Sequence, residues 1–194
     1  MTLYKPTYES VLHVAQHMRA IDKDEIYPLL FDPTPKELAR RVMSDQTYCW
    51  LAANDRGPVC AFGMFQVRPK AWTAFAFATD DFPSVAREVT KFLKRKVCPH
   101  LFLDLDAVRV EAHSHLKHEA AHRWLASLGA KSTIDLEYGP QGQPYRHFIM
   151  RRSDFDVTYG RKRSRLVVTG GKPDLARPEN SNSADVHPQH PQRQ

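Results

Sequence analysis

His118, Glu119 and His122 lie in the pentapeptide HEAAH, which matches the H-E-x-x-H signature of zinc proteases. On a helix the two histidines could bind one zinc ion, and Glu119 could act as general base on a zinc-bound water. The long form of the signature also requires a glycine three residues after the second histidine, where this chain has Leu125. The nearest later glutamate, Glu137, lies in a predicted strand. We therefore predict that the chain has no catalytic zinc site.

The helix around this motif is predicted to run from about Leu116 to Leu128 and to end at Gly129. At about 100° per residue, its apolar side chains cover one half of the helical wheel and Glu119 lies nearly opposite them. The motif's two histidines fall just outside the apolar arc. This pattern predicts a surface helix with solvated histidines.

Strand and helix patterns alternate along the first 152 residues and predict the order βααβββαβαββ. A capping box at Thr34 to Glu37 and a turn at Asn54 to Gly57 are the clearest local signals. The predicted strands are 2–5, 47–53, 59–67, 71–78, 107–112, 132–138 and 144–152, and the predicted helices are 8–18, 35–43, 83–97 and 116–128. The order predicts an α/β (α+β) domain with a mixed sheet and helices on both faces.

Composition predicts one domain at residues 1–152 and a basic tail at 153–194. The chain carries a net charge of +6, and residues 155–194 hold seven Lys or Arg against four Asp or Glu. The tail is rich in Gly, Pro, Ser, Asn and Gln and poor in aromatic residues, which predicts that it is mostly disordered. Its cluster of Arg161, Lys162, Arg163 and Arg165 is a candidate site for a polyanion such as DNA.

The remaining composition bears on the compartment of the protein. We find no apolar run that approaches the roughly 18 residues of a membrane span and no pattern of a secretory signal. Three cysteines without a close-spaced pair are typical of a reducing compartment. We expect a protein that is neither secreted nor membrane-spanning.

The predicted element order, with its late segment A-x-x-W-L-A-S-L-G-A, resembles the GNAT N-acetyltransferase superfamily over about residues 1–152. Ala121, Trp124, Leu125, Leu128 and Gly129 occupy positions of that superfamily's late N-x-x-A-x-x-L-Y-x-x-x-G-F motif. The resemblance implies a mostly antiparallel sheet that splays between its fourth and fifth strands. It also implies acetyl-CoA as the ligand to test in that splay, with the pyrophosphate at the start of the following helix.

On this resemblance, the candidate cofactor-binding residues are Phe77, Ala78, Asp81, Phe82, Ser84, Val85 and Ala121. The family's Q/R-x-x-G-x-G/A phosphate motif is absent, because residues 79–84 read TDDFPS. Pro83 lacks an amide donor, and Asp80 and Asp81 would repel a pyrophosphate. The motif's tyrosine, often the general acid, falls on Leu125, so His118 is left as the candidate catalytic residue.

A narrower resemblance is to the internal virion protein A family of short-tailed bacteriophages. Residues 18–26, MRAIDKDEI, resemble its R-x-x-D-x-x-E pattern, and residues 46–64 and 122–152 resemble its early hairpin and its late segment. This resemblance implies a GNAT-like protein of the virion and host cytoplasm that acts in assembly with other phage structural proteins and requires no cofactor. One alternative is an active acetyl-CoA-dependent N-acetyltransferase of a host or viral amine. Another is a polyanion-binding module that uses the tail cluster together with Lys91, Lys94, Arg95 and Lys96.

Overall fold

The computed structural model describes residues 2–44, 47–135 and 137–160, which are organised around one seven-stranded sheet. Its strands are β1 (Thr2–Tyr4), β2 (Thr47–Asn54), β3 (Gly57–Arg68), β4 (Ala71–Ala78), β5 (Arg109–His115), β6 (Lys131–Asp135) and β7 (Tyr145–Arg151). They lie in the order β1-β2-β3-β4-β5-β7-β6. Every neighbouring pair is antiparallel except β4 and β5, which are parallel. This confirms the predicted fold class.

Six α-helices are present in the described part of the chain. They are α1 (Tyr8–Gln16), α2 (Ala20–Ile26), α3 (Pro35–Val42), α4 (Ala86–Phe92), α5 (Glu119–Ser127) and α6 (Arg152–Phe155). The prediction omitted α2 and began α5 three residues too early. The prediction also ended the helix that contains α4 at Val97. In the structure, π-helical turns at Leu93–Val97 and His100–Asp104 follow α4 and extend beyond that residue.

Helices cover both faces of the sheet, as the alternation of buried side chains along β2 requires. Leu51 packs on one face with Val14 of α1 and Leu38 of α3. Ala52, the next residue of the strand, packs on the other face with Val89 of α4. The core therefore has two layers, and the sheet separates α1 and α3 from α4.

The parallel pair β4–β5 separates after only three positions. Ala71, Trp72 and Thr73 pair with Arg109, Val110 and Glu111, and no pairing between the two strands extends beyond them. Residues 74–78 of β4 and 112–115 of β5 therefore border an opening in the sheet, which is the predicted splay. The backbone groups that face this opening must find partners outside the sheet.

The chain stays packed beyond the predicted domain boundary at residue 152. The ring of Phe155 is 4% exposed and stacks on Phe102, with ring centroids 5.0 Å apart. The hydroxyl of Tyr159 donates to the carbonyl oxygen of Leu128 at 2.8 Å. Phe155 and Tyr159 of the predicted tail thus pack against the domain, and residues 161–194 lie outside the described part.

Candidate functional site

Helix α2 closes one side of the splay with Asp22. The neighbouring residue Thr79 donates its N–H to β3, so the N–H and C=O of Ala78 face the opening. The N–H of Ala78 donates to Oδ2 of Asp22 at 2.9 Å, and its C=O accepts from the N–H of Arg19 at 2.9 Å. The guanidinium of Arg19 also donates to both oxygens of Asp22 at 2.8 to 3.0 Å. The last residue of β4 is thereby fully bonded to α2 and its N-cap.

The other side of the splay is closed by Glu25, one helical turn after Asp22. Its Oε2 accepts from the Ser114 hydroxyl at 2.7 Å, from the His115 N–H at 2.8 Å and from Nδ1 of His118 at 3.0 Å. The Tyr145 hydroxyl donates to the backbone carbonyl of the same glutamate at 2.6 Å. One short helix therefore bonds to both strands that border the opening.

His118 lies between these two carboxylates. It is only 7% exposed, with Nδ1 on Glu25 and Nε2 3.8 Å from Oδ1 of Asp22. The expectation of a solvated His118 is wrong, because its ring bonds to Glu25 and faces Asp22 instead of solvent. The structure thus places the candidate catalytic histidine next to the two carboxylates that bond to the splayed strands, as part of a hydrogen-bonded network.

Burial governs the charge of Asp22. Its side chain is 2% exposed, and desolvation raises its pKa above the usual value, while the Arg19 charge and the Ala78 amide act in the opposite direction. The carboxylate is therefore held in place by Arg19 and the β4 backbone rather than by water. The four side chains Arg19, Asp22, Glu25 and His118 are called the splay network below.

The second histidine of HEAAH is also buried, contrary to the expectation, at 7% exposure. Nε2 of His122 donates to the His115 carbonyl at 3.1 Å, and Nδ1 faces the Arg146 guanidinium at 3.4 Å. Burial, followed by the Arg146 charge, lowers the pKa of His122. Only Glu119 is exposed as expected, at 80%. Among the described residues, no three His, Cys, Asp or Glu side chains are arranged to hold a metal ion.

The predicted phosphate-binding turn after β4 uses its own amides internally. The N–H groups of Phe82, Ser84 and Val85 donate to the carbonyl oxygens of Thr79, Asp81 and Phe82 at 2.9 to 3.1 Å. Pro83 has no N–H. The amide of Asp81 donates to the Thr79 hydroxyl at 3.3 Å. The amides of Asp81, Phe82, Ser84 and Val85 are therefore already bonded within the turn.

Side chains around the turn are bonded as well. The Asp81 carboxylate pairs with Arg56, and Asn54 donates to the Ser84 hydroxyl at 3.1 Å. The Phe82 ring lies under the Arg19 guanidinium, 5.1 Å from its centroid, and meets the Trp124 ring edge-on. Phe77, Ala78 and Val85 are 1% exposed, and Ala121 is half-buried in α5. The candidate cofactor-binding residues are thus buried, or bonded to or packed against other residues of this chain.

Sequence reasoning missed the carboxylates of the network as site residues. Arg19, Asp22 and Glu25 are spaced three residues apart, so they lie along one side of α2. The R-x-x-D-x-x-E pattern contained that signal, although the segment was not predicted to be helical. No long-range hydrogen bond can be inferred from the spacing alone.

The similarity of this chain to known proteins lies in their solved structures and not in their sequences. No protein-family model and no curated protein sequence matches the chain. A variant of the spermidine N-acetyltransferase SpeG from Vibrio cholerae is similar in structure, with 10% identity, a TM-score of 0.60 and coverage of 80% of this chain and 97% of that one. AAC(6')-Ib, solved with ribostamycin and coenzyme A, shows 13% identity, a TM-score of 0.59 and coverage of 81% and 97%.

A GNAT family acetyltransferase from Bacillus anthracis is similar as well, with 8% identity and a TM-score of 0.59 over 78% of this chain and 94% of that one. At these identities the likeness concerns the fold. The chain therefore has the fold of GNAT acetyltransferases, with the parallel β4–β5 pair at its centre. No helix in the described residues is long and apolar enough to cross a membrane.

Removing the Asp22 carboxylate is expected to destabilise the fold. Asp22→Ala leaves the Arg19 guanidinium and the Ala78 N–H without their partner, and breaking a buried pair in this way costs about 3 kcal/mol. Asp24→Ala is the matched control, because Asp24 is exposed on the same helix, and it should cost less than about 0.5 kcal/mol. Urea unfolding measures both values, and equal losses would refute the role of Asp22.

Protonation of His122 is expected to destabilise the protein. Because its folded pKa lies below the ordinary value of 6.5, the stability from neutral His122 is present above that value and is lost as pH falls through the folded pKa. His122→Gln should flatten the dependence of unfolding free energy on pH between about pH 7.5 and pH 5. His13→Gln, at an exposed histidine, is the control. Parallel pH curves for wild type and His122→Gln would contradict the assignment.

Proposed function

We propose that this chain is a GNAT-fold protein without efficient acetyl transfer, and that it acts in bacteriophage particle assembly as an internal component of the virion. The observation that carries the first part is the bonding of Asp22 and Glu25 to the backbone of β4 and β5 across the splay. The second part is supported by the resemblance of residues 18–26, 46–64 and 122–152 to the internal virion protein A family.

The splay is the place where the GNAT resemblance puts acetyl-CoA. Here the N–H and C=O of Ala78 and the N–H of His115 already bond to Arg19, Asp22 and Glu25. A ligand that used these groups would have to displace ionised side chains from a buried position. Leaving such charges without partners costs several kcal/mol, so the network opposes entry of the cofactor.

The phosphate end of the predicted cofactor site opposes binding for a separate reason. Pro83 has no N–H, and the amides of Phe82, Ser84 and Val85 are bonded within the turn, so these four positions offer a pyrophosphate no free donor. The nearby Asp81 carboxylate adds negative charge, which Arg56 offsets. A phosphate site normally depends on free amides at such a turn.

Proton transfer is also poorly supported. Leu125 replaces the motif's tyrosine and has no proton to donate. His118 is a residue type that can exchange protons, but its Nδ1 is engaged by Glu25 and its Nε2 faces the buried Asp22. We therefore assign His118 a structural role in the splay network. An active N-acetyltransferase is then the weaker of the candidate functions.

An assembly role requires the fold and its surface rather than turnover. Arg19, Asp22 and Glu25 are the residues that match the R-x-x-D-x-x-E pattern of the phage family. In this structure they stabilise the opening in the sheet. The pattern is thus explained by a structural requirement that a non-catalytic protein of this fold would share.

Acetyl-CoA is expected not to bind the full chain. In a calorimetric titration, wild type should give no saturable heat at ligand concentrations where a parallel sample of Vibrio cholerae SpeG is tested as reference. Micromolar binding by wild type, together with release of coenzyme A in the presence of an amine, would overturn the proposal and establish the enzyme. Asp80→Gly/Asp81→Gly tests the phosphate end alone, and binding gained by this variant would show that the turn is the main obstacle.

Particles purified from an infection that produces this chain are expected to contain it in a reproducible copy number. Quantitative mass spectrometry of such particles, treated with protease to remove external proteins, measures this number. A chain that stays entirely in the lysate would refute the virion role. A chain that is removed by the protease would refute the internal location.

A further inference from the structure

A surface cleft lies between the first turns of α5 and strand β7. Its volume is about 490 Å³, and it is lined by Leu116, Glu119, His122, Arg123 and Arg146. Clefts of several hundred Å³ have the size that small ligands occupy. The lining carries two guanidinium groups and one carboxylate, so the cleft has an excess of positive charge.

The cleft lies on the side of α5 that is opposite to α4. At about 100° per residue, Glu119, His122 and Arg123 lie on one side of the helix and Trp124 lies on the other. Trp124 faces α4, since its indole N–H donates to the Thr90 hydroxyl at 2.9 Å. The lining of the cleft includes none of the candidate cofactor-binding residues. A ligand in this cleft would therefore bind apart from the splay and the turn after β4.

The histidine of the cleft is a neutral ring. His122 is 7% exposed, its Nε2 is 3.1 Å from the His115 carbonyl oxygen, and its Nδ1 is 3.4 Å from the Arg146 guanidinium. Because a guanidinium only donates and a carbonyl only accepts, these contacts require a proton on Nε2 and a lone pair on Nδ1. Burial and the Arg146 charge lower the pKa of this ring, which favours the same form. A neutral His122 positions the guanidinium but does not compensate its charge.

Arg146 has no carboxylate within 4.0 Å among the side chains that the structure describes, although it is half-buried. By contrast, Arg109 of the neighbouring strand pairs with Glu111 at 2.6 Å. The other guanidinium of the cleft, that of Arg123, pairs with Glu119 at 3.4 Å, but these side chains are 73% and 80% exposed, and such pairs are weak. Charged groups withdrawn from water are normally paired. The unpaired Arg146 beside a neutral ring therefore indicates an anionic ligand.

We propose that this cleft binds an oxyanion, the phosphate or carboxylate group of a small ligand, through the guanidinium of Arg146. A guanidinium presents parallel N–H donors that match two oxygens of either group. Arg123 adds a second cation at the rim, whereas Glu119 opposes the anion. The inference goes beyond the assembly role and does not depend on it.

An NMR titration of the full chain with inorganic phosphate, and separately with acetate, tests the proposal. At constant pH and at an ionic strength fixed with sodium chloride, the ring resonances of His122 should shift and saturate with at least one of the two anions. Those of the exposed His13 should not follow the same curve. Tighter binding of phosphate would assign the cleft to a phosphorylated ligand, and tighter binding of acetate would assign it to a carboxylate ligand.

Three variants separate the cleft from cations elsewhere in the chain. R146Q should weaken the affinity by about tenfold or more, because it removes charge-assisted hydrogen bonds to the anion. R151Q is the matched control, since Arg151 is exposed on the same strand and does not line the cleft, and its affinity should stay within about twofold of wild type. E119Q should strengthen binding by about two- to fivefold, because it removes a like charge from the rim.

Thermal melting of each variant shows whether it is folded. Because the Glu119 side chain is 80% exposed, E119Q keeps the test available even if R146Q does not fold. Unchanged His122 resonances with both anions would overturn the proposal. Equal affinities of R146Q and R151Q, or weaker binding by E119Q than by wild type, would overturn it as well. None of these outcomes depends on acetyl-CoA binding or on incorporation into particles.

Discussion

The hydrogen bonds from Asp22 and Glu25 to the backbone of β4 and β5 are the interactions on which the centre of this fold depends. A sheet that opens between two parallel strands leaves N–H and C=O groups with neither a neighbouring strand nor water to bond to. Such groups are costly to bury without partners. In this chain one seven-residue helix supplies the partners for both strands. The same interactions hold His118 in place and restrict access to the opening.

Much of the architecture could be predicted from local sequence patterns. Thr34 caps α3 as predicted, since its hydroxyl accepts from the Glu37 N–H, but the reciprocal bond of a capping box is absent, because the Thr34 N–H donates to Asp32 and the Glu37 carboxylate bonds Arg40 and Arg41. Strand β4 has the predicted bounds. The β2–β3 hairpin also forms at the predicted turn. These features depend on residues that are close in sequence, so composition and spacing are sufficient to identify them.

The network could not be predicted in the same way, because its partners are far apart in the chain. Helix α2 has few apolar residues and no side-chain cap at its start, so its sequence resembles a charged loop. Its stability comes from Arg19, Asp22 and their contact with Ala78. The burial of His118 and His122 was missed for a related reason. A helical wheel cannot show the contacts that bury these rings, since His118 bonds to Glu25 of α2, and His122 donates to the His115 carbonyl and faces Arg146 of β7.

The distance in sequence across the splay also has a consequence for folding. Asp22 meets Ala78 across 56 residues, Glu25 meets His115 across 90, and Tyr145 reaches Glu25 across 120. Contacts that close such long loops lose much chain entropy and slow the folding of a domain. During synthesis α2 emerges first, yet it cannot be completed until β5 and β7 exist. The contacts of α2 across the splay therefore form only after the C-terminal half of the domain has been synthesised.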